Sequence, residues 1–182
     1  MKELGKRIAR VLCGDYGIYY VYRATLAMQP ATPADVEPMQ AVDAAAIVAA
    51  TDVLISAQAG YAGEGSRAFA LREQGVLQAV CFYWFGERYR PRGFWPLQAG
   101  EAKLVQIVTA PAVRGRGLAT ALIAGSAAAM HAAGWSTLYA RVWHSNQPSW
   151  HAFEAAGWER VALVVEINPL RRARPWRIRL AA

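Results

Sequence analysis

Apolar positions along this 182-residue chain change period several times, and each change predicts an element. Residues 104–109 (LVQIVT) are an apolar, β-branched run interrupted only by Gln106, the pattern of a buried strand. From residue 118 the period lengthens. Leu118, Ala121, Leu122, Gly125 and Ala129 recur at helical spacing, and Gly134 stands where a helix C-cap belongs. Residues 137–144 and 158–167 read as strands. Between them a helix starts at Ser145-Asn146-Gln147-Pro148, with Pro148 suited to its first turn, and ends at Gly157.

Upstream, residues 67–73 and 76–85 form a strand pair around Gln74-Gly75, and residues 18–25 form a strand after the turn Asp15-Tyr16-Gly17. The alanine-rich run 41–50 predicts a helix that Thr32 or Asp35 would cap. Residues 58–66 read as a glycine-rich loop, and 87–100 as an irregular aromatic excursion. At the end, Trp176, Ile178 and Leu180 alternate with Arg177 and Arg179, as in a half-buried edge strand. Leu4, Ile8, Val11 and Leu12 share one face of a basic amphipathic helix over about 2–12. The order αβαββ(loop)βαβαββ is that of a mixed α/β fold, expected as a single domain over 1–182.

Composition narrows this picture. Apolar residues make up 55% of the chain, enough for a sizeable core. Cys13 and Cys81 have no C-x-x-C spacing, and three histidines show no metal spacing. Reduced thiols, no metal and a cytoplasmic protein are expected. No run reaches transmembrane length. The net charge of +7 is uneven: ten of the twenty cations lie in 2–23 and 171–179, whereas 24–66 holds no Lys or Arg but contains Asp35, Glu37, Asp43, Asp52 and Glu64. A basic face suits an anionic partner and the acidic stretch a cationic one.

The candidate chemistry begins at Arg114-Gly115-Arg116-Gly117-Leu118-Ala119. A glycine-rich turn feeding a helix start presents free backbone N–H groups where the helix dipole is positive, and two arginines stand beside it. The spacing matches neither G-x-x-x-x-G-K-[ST] nor G-x-G-x-x-G, whose third glycine is here Thr120. Alone, this corner is either a turn or a phosphate cradle.

After the next strand, a second constellation runs from Asn146 to Gly157-Trp158. Together the two motifs resemble the GNAT superfamily of acyl-CoA-dependent N-acetyltransferases. Arg114, Gly117 and Ala119 fill the family's [Q/R]-x-x-G-x-[G/A] pattern. Asn146 and Gly157-Trp158 match its Asn and helix-ending Gly-Phe. The resemblance covers residues 67–168 well and the first third only by topology. It implies a mostly antiparallel central sheet flanked by helices, with a splayed strand pair at the cofactor site. It implies that the amides of Gly115, Arg116, Gly117, Leu118 and Ala119, together with Arg114, hold the pyrophosphate of acetyl-CoA. The backbone of Val108 and Thr109 would pair with the pantetheine arm, and Asn146 and Ser149 would bond the cofactor from the other side.

The family often has a Tyr seven residues after the Asn, as acid for the departing thiolate. Here that place holds Phe153. For the base that takes the amine proton, the candidates are Glu101 and His144. His131 and His151 read as surface or packing residues. The implied function is transfer of acetyl from acetyl-CoA to a small-molecule or peptide amine by direct attack, with a catalytically silent acyl-CoA-binding module as the alternative. Carboxylates of 35–64 would attract an ammonium group, and 87–100 would be a lid, a specificity loop or a cap on the sheet end. Binding of nucleic acid or a membrane surface by the arginine-rich end is the least favoured reading. A monomer or homodimer is expected.

Overall fold

The computed structural model describes residues 15–25, 36–92, 95–168 and 175–181. The proposed helix at 2–12, the caps Thr32 and Asp35, and Cys13 lie outside them. Eight strands form one sheet in the order β2-β3-β4-β5-β6-β1-β7-β8. They are β1 (Asp15–Ala24), β2 (Gln40–Val42), β3 (Ser66–Glu73), β4 (Val76–Trp84), β5 (Glu101–Thr109), β6 (Thr137–Trp143), β7 (Glu159–Asn168) and β8 (Trp176–Leu180). Every neighbouring pair is antiparallel except β5 with β6.

The expected strands are present, several with shifted ends. β5 begins at Glu101, and β1 takes in the predicted turn at 15–17. β1 lies between β6 and β7, so both its edges are paired, and both its faces are covered by separate clusters: Tyr22 is fully buried in one, Tyr19 and Val21 in the other. The alanine-rich run divides. Gln40–Val42 pairs with β3 at a sheet edge. Asp43 then caps α1 (Ala44–Val48), its carboxylate accepting from Ala46 N–H at 2.8 Å. Asp52 caps α2 (Val53–Ser56) through the N–H groups of Leu54 and Ile55 at 2.9 and 3.1 Å. Alanine favours helix, but an aspartate every nine residues restarts it.

The excursion after β4 contains α3 (Gly86–Tyr89) and a 3-10 turn over Arg90–Arg92. Tyr89 is buried on the sheet with Tyr19, Val21, Ala162 and Val164, and its hydroxyl donates to the Trp95 carbonyl at 2.9 Å. Tyr89 and Trp95 therefore cap that face; Phe94 lies outside the described residues.

On the opposite face lie α4 (Leu118–Ala132) and α5 (Gln147–Ala155). α4 buries Leu118, Ala121, Leu122, Ile123, Ala127 and Met130 in the main core. Ser126 on this helix and Tyr83 on β4 share a buried hydroxyl–hydroxyl bond of 3.0 Å. α4 is thus tied to the sheet near its midpoint.

β8 departs from its predicted orientation. Trp176, Ile178 and Leu180 are about half exposed, at 59%, 53% and 49%. The arginines face the sheet: Arg177 pairs with Glu166 at 2.6 Å, and Arg179 stacks over Trp95 at 4.8 Å. Strand alternation is legible in sequence, but which phase faces the protein depends on partners elsewhere in the chain.

Candidate functional site

The site is built where β5 and β6 part. They pair only over Glu101–Leu104 against Thr137–Ala140. On the other side of β5 the register with β4 shifts: Gln106 faces Phe82 and Leu104 faces Tyr83, leaving Val105 as an extra residue. A bulge bends its strand and adds local twist. This one sits where pairing with β6 stops, so the C-terminal half of β5 follows β4 while β6 follows β1. The expected splay is thus present. From Gln106 to Thr109 the cleft edge of β5 has no strand partner among the described residues, and its amides and carbonyls face the opening.

The glycine corner closes one end of this opening. Gly115 and Gly117 have φ of 81° and 80°, the left-handed region that favours glycine. Gly117 is the N-cap of α4, and Ala121 is the first residue whose N–H reaches back, to the Gly117 carbonyl at 3.0 Å. The amides of Leu118, Ala119 and Thr120 therefore precede the first helical bond. A Cβ built on Gly115 or Gly117 would meet no atom within 4 Å, so both open onto empty space.

The two arginines differ. Arg114 is exposed, and its Nε donates to the Thr109 carbonyl at 3.3 Å. Arg116, expected as mobile charge beside the corner, is instead held by both oxygens of Glu73, one at 3.1 Å. That pairing fastens the loop to the end of β3 and neutralises much of the charge.

Across the opening, Asn146 caps α5, its side-chain oxygen accepting from Ser149 N–H at 3.3 Å. Phe153 is buried on the same helix against Tyr22 and Trp158, with ring centroids 5.4 and 5.1 Å apart. The Tyr22 hydroxyl donates to Glu154 and accepts from Arg160, at 3.1 and 2.8 Å, fastening α5 to the sheet. Burial raises the pKa of that hydroxyl to about 12, so it stays protonated.

These elements enclose a cavity of about 650 Å3, lined along β5, the corner and α5. Nine of the ten residues expected at the cofactor (Val108, Thr109, Arg114, Gly115, Gly117, Leu118, Ala119, Asn146 and Ser149) line it; Arg116 alone does not. A smaller cavity of about 170 Å3 adjoins it through the split, sharing Ile107, Asn146, Ser149 and Phe153.

The catalytic expectations fare differently. Glu101 stands at the start of β5, at the other end of the strand from the corner. Its carboxylate accepts from Gln98 N–H at 2.7 Å and lies 3.5 Å from the Tyr139 hydroxyl. It lines a separate pocket with Trp95 and Trp135. His144 is exposed, its ring 6.2 Å from that of Tyr20, and lines neither cavity. Glu101 thus faces a different pocket, and His144 lies outside the lining of both cavities. The acidic stretch is also used elsewhere: Asp43 and Asp52 are helix caps, and Glu37 accepts from Gly75 N–H at 2.7 Å. Asp35 lies outside the described residues. Of the described residues 36–64, those that line either cavity are Leu54 and Gln58, neither of them a carboxylate.

Three residues beside the split were not foreseen. Arg92, Lys103 and Arg141 line the smaller cavity. Lys103 is only 2% exposed. Burial, and then the cations Arg141, Arg92 and Arg177, hold its pKa well below the usual lysine value. The one signal in the sequence was a lysine directly abutting a buried apolar run.

Mostly antiparallel strands, a split parallel pair and a glycine-cornered helix at the split are the fold of the GNAT class. The model of the acetyltransferase (GNAT) family matches residues 46–158, and the chain belongs to that family. No curated protein matches it. Among solved structures, a GNAT-family acetyltransferase from Colwellia psychrerythraea is similar at 17% identity, with 90% of this chain and 60% of that chain covered and a TM-score of 0.59. A GNAT-family protein from Novosphingobium aromaticivorans gives 17% identity, 85% and 64% coverage and a TM-score of 0.57. A GCN5-related N-acetyltransferase from Sphaerobacter thermophilus gives 14%, 97% and 59%, and 0.55. At these identities the likeness concerns the fold, and the chain spans less than two thirds of each of those proteins. Among the described residues no group of three His, Cys, Asp or Glu could hold a metal, and no helix is long and apolar enough to cross a membrane.

Proposed function

We propose that this domain transfers an acetyl group from acetyl-CoA to a primary amine by direct attack within a ternary complex. The observation that carries the reading is the meeting of two cavities at the β5–β6 split, one of them edged by a left-handed glycine corner. The amides of residues 115–119 would hold the pyrophosphate, with Arg114 beside them. The unpaired edge of β5 at Val108 and Thr109 suits an extended, amide-containing arm, which adds to a sheet as a strand does. Asn146 and Ser149 border the point where the cavities join, and would bond the arm there.

Acetyl-CoA supplies an activated thioester. The amine nitrogen adds to its carbonyl carbon, the carbon–sulfur bond breaks, and the amine proton is lost. Among the described residues lining the cavities, the ionisable side chains are lysine and arginine. In this reading the proton passes to solvent, and the thiolate leaves without a tyrosine acid. Holding both reactants in line supplies the acceleration. The absence of a hydroxyl at Phe153 is what favours the second reading, a silent acyl-CoA-binding module. Calorimetry with acetyl-CoA tests both readings, and an affinity weaker than millimolar would overturn them together. Free-thiol release across a panel of amines then separates the two.

A further inference from the structure

The smaller cavity gathers three cationic side chains. Arg92 comes from the turn after α3, Lys103 from β5 and Arg141 from β6, and all three line a space of about 170 Å3. No carboxylate stands among its described lining residues. Glu166 on β7 is engaged by Arg177 and by the Tyr19 hydroxyl.

The guanidiniums are oriented by rings. Arg141 lies over Tyr19 and Trp143 at 5.2 and 4.9 Å, and Arg92 over Trp84 and Tyr61 at 4.7 and 5.6 Å. Stacking engages the flat face of a guanidinium, and its N–H donors lie around the edge. Lys103 is anchored within a strand, its Nζ 5.9 Å from the Tyr89 ring centre. Three cationic side chains line one small, partly closed space, and an anion entering it would be attracted by all three.

We infer that the smaller cavity receives a carboxylate or phosphate carried by the acceptor, so that the acceptor is a small amine bearing an anionic group. The inference rests on the acetyl-transfer reading for the word acceptor, but the anion site stands on its own residues. The volume suits it: at about 30 Å3 per water it equals roughly five or six waters, room for a few heavy atoms. The shared lining at Ile107, Asn146, Ser149 and Phe153 would place an amine a few bonds from the anion at the mouth of the larger cavity. Polyamines and lysine-rich peptides are disfavoured by the same three charges.

The test uses matched pairs of amines in the thiol-release assay: an α-amino acid against the amine left by its decarboxylation, and a phosphorylated against a plain amino alcohol. Anionic members should show kcat/KM higher by about tenfold or more, the scale of a hydrogen bond to a charged group. The better of the two pairs identifies the anion. Arg141→Gln and Lys103→Met should each erase most of the difference while acetyl-CoA affinity stays unchanged. Thermal melts show whether each variant is folded; Lys103→Met removes only a buried charge and keeps the test open if Arg141→Gln fails to fold. Equal rates within both pairs, or a preference that survives both variants, would overturn the inference and leave acetyl transfer standing. If acetyl-CoA does not bind at all, calorimetry with inorganic phosphate and with acetate decides the anion site by itself. Binding weakened by Lys103→Met supports it, and no binding overturns it.

Discussion

Gly117→Ala separates the backbone demand of the corner from its demand for empty space. Gly117 has φ 80° and ψ 2°, and an added Cβ would meet no atom within 4 Å. In the protein alone the methyl therefore clashes with nothing. Its cost is conformational: about 1–2 kcal/mol for an L-residue in the left-handed region. Restricting the unfolded chain offsets this by about 0.4–1 kcal/mol. A net loss of about 1 kcal/mol should lower the melting temperature by about 2–4 °C in a domain of this size. Binding should suffer more. A methyl projecting into the cradle keeps a phosphate away from one or two amides, each bond to a charged group being worth about 1.5–3 kcal/mol. The expected loss of acetyl-CoA affinity is about tenfold to a hundredfold.

Gly134 provides the control. It has φ 91° and equally open surroundings, but lies beyond the far end of the 15-residue α4, about 22 Å along the helix axis. Gly134→Ala should show a similar shift in melting and bind acetyl-CoA as the parent does. Calorimetric titration of the three proteins, each with its melting curve, is the assay. Unchanged affinity in Gly117→Ala, or an equal loss in both variants, would refute the assignment of the corner.

Three further outcomes follow from the same structure. Lys103→Met should stabilise the protein at neutral pH. The folded-state pKa of Lys103 is depressed, so between it and the unfolded value of about 10.4 the unfolded chain binds more protons. Stability of the parent then rises with pH through that window, and the advantage of Lys103→Met should shrink as the pH approaches 10; denaturant midpoints measured from pH 7 to 10 check the sign. Arg116→Gln should lower acetyl-CoA affinity much less than Gly117→Ala, because Arg116 faces Glu73 and not the cavity, and titration of both variants tests this. Ser126→Ala should cost about 1–3 kcal/mol in urea denaturation by leaving the fully buried Tyr83 hydroxyl without its 3.0 Å partner.

Local chemistry determined much of this protein. The left-handed glycines at 115 and 117, the Asn146 cap with Pro148 after it, and the apolar stripe of α4 are decided by neighbours within a few residues, and each stands where the sequence puts it. The same locality made the glycine corner and the Asn146 helix recognisable as one family's pair of motifs. Tertiary structure decided the rest. The placement of β1 between β6 and β7 depends on strand pairing across more than a hundred residues, and no local pattern encodes it. Arg116 met Glu73 and Glu101 met Gln98 and Tyr139, because side-chain partners depend on which elements the fold brings together. The acids expected to attract an ammonium group became caps and a turn tie, since an aspartate beside free helix amides is satisfied there first. The charge beside the split came instead from Arg92, Lys103 and Arg141, residues of three separate segments that the fold brings to one cavity.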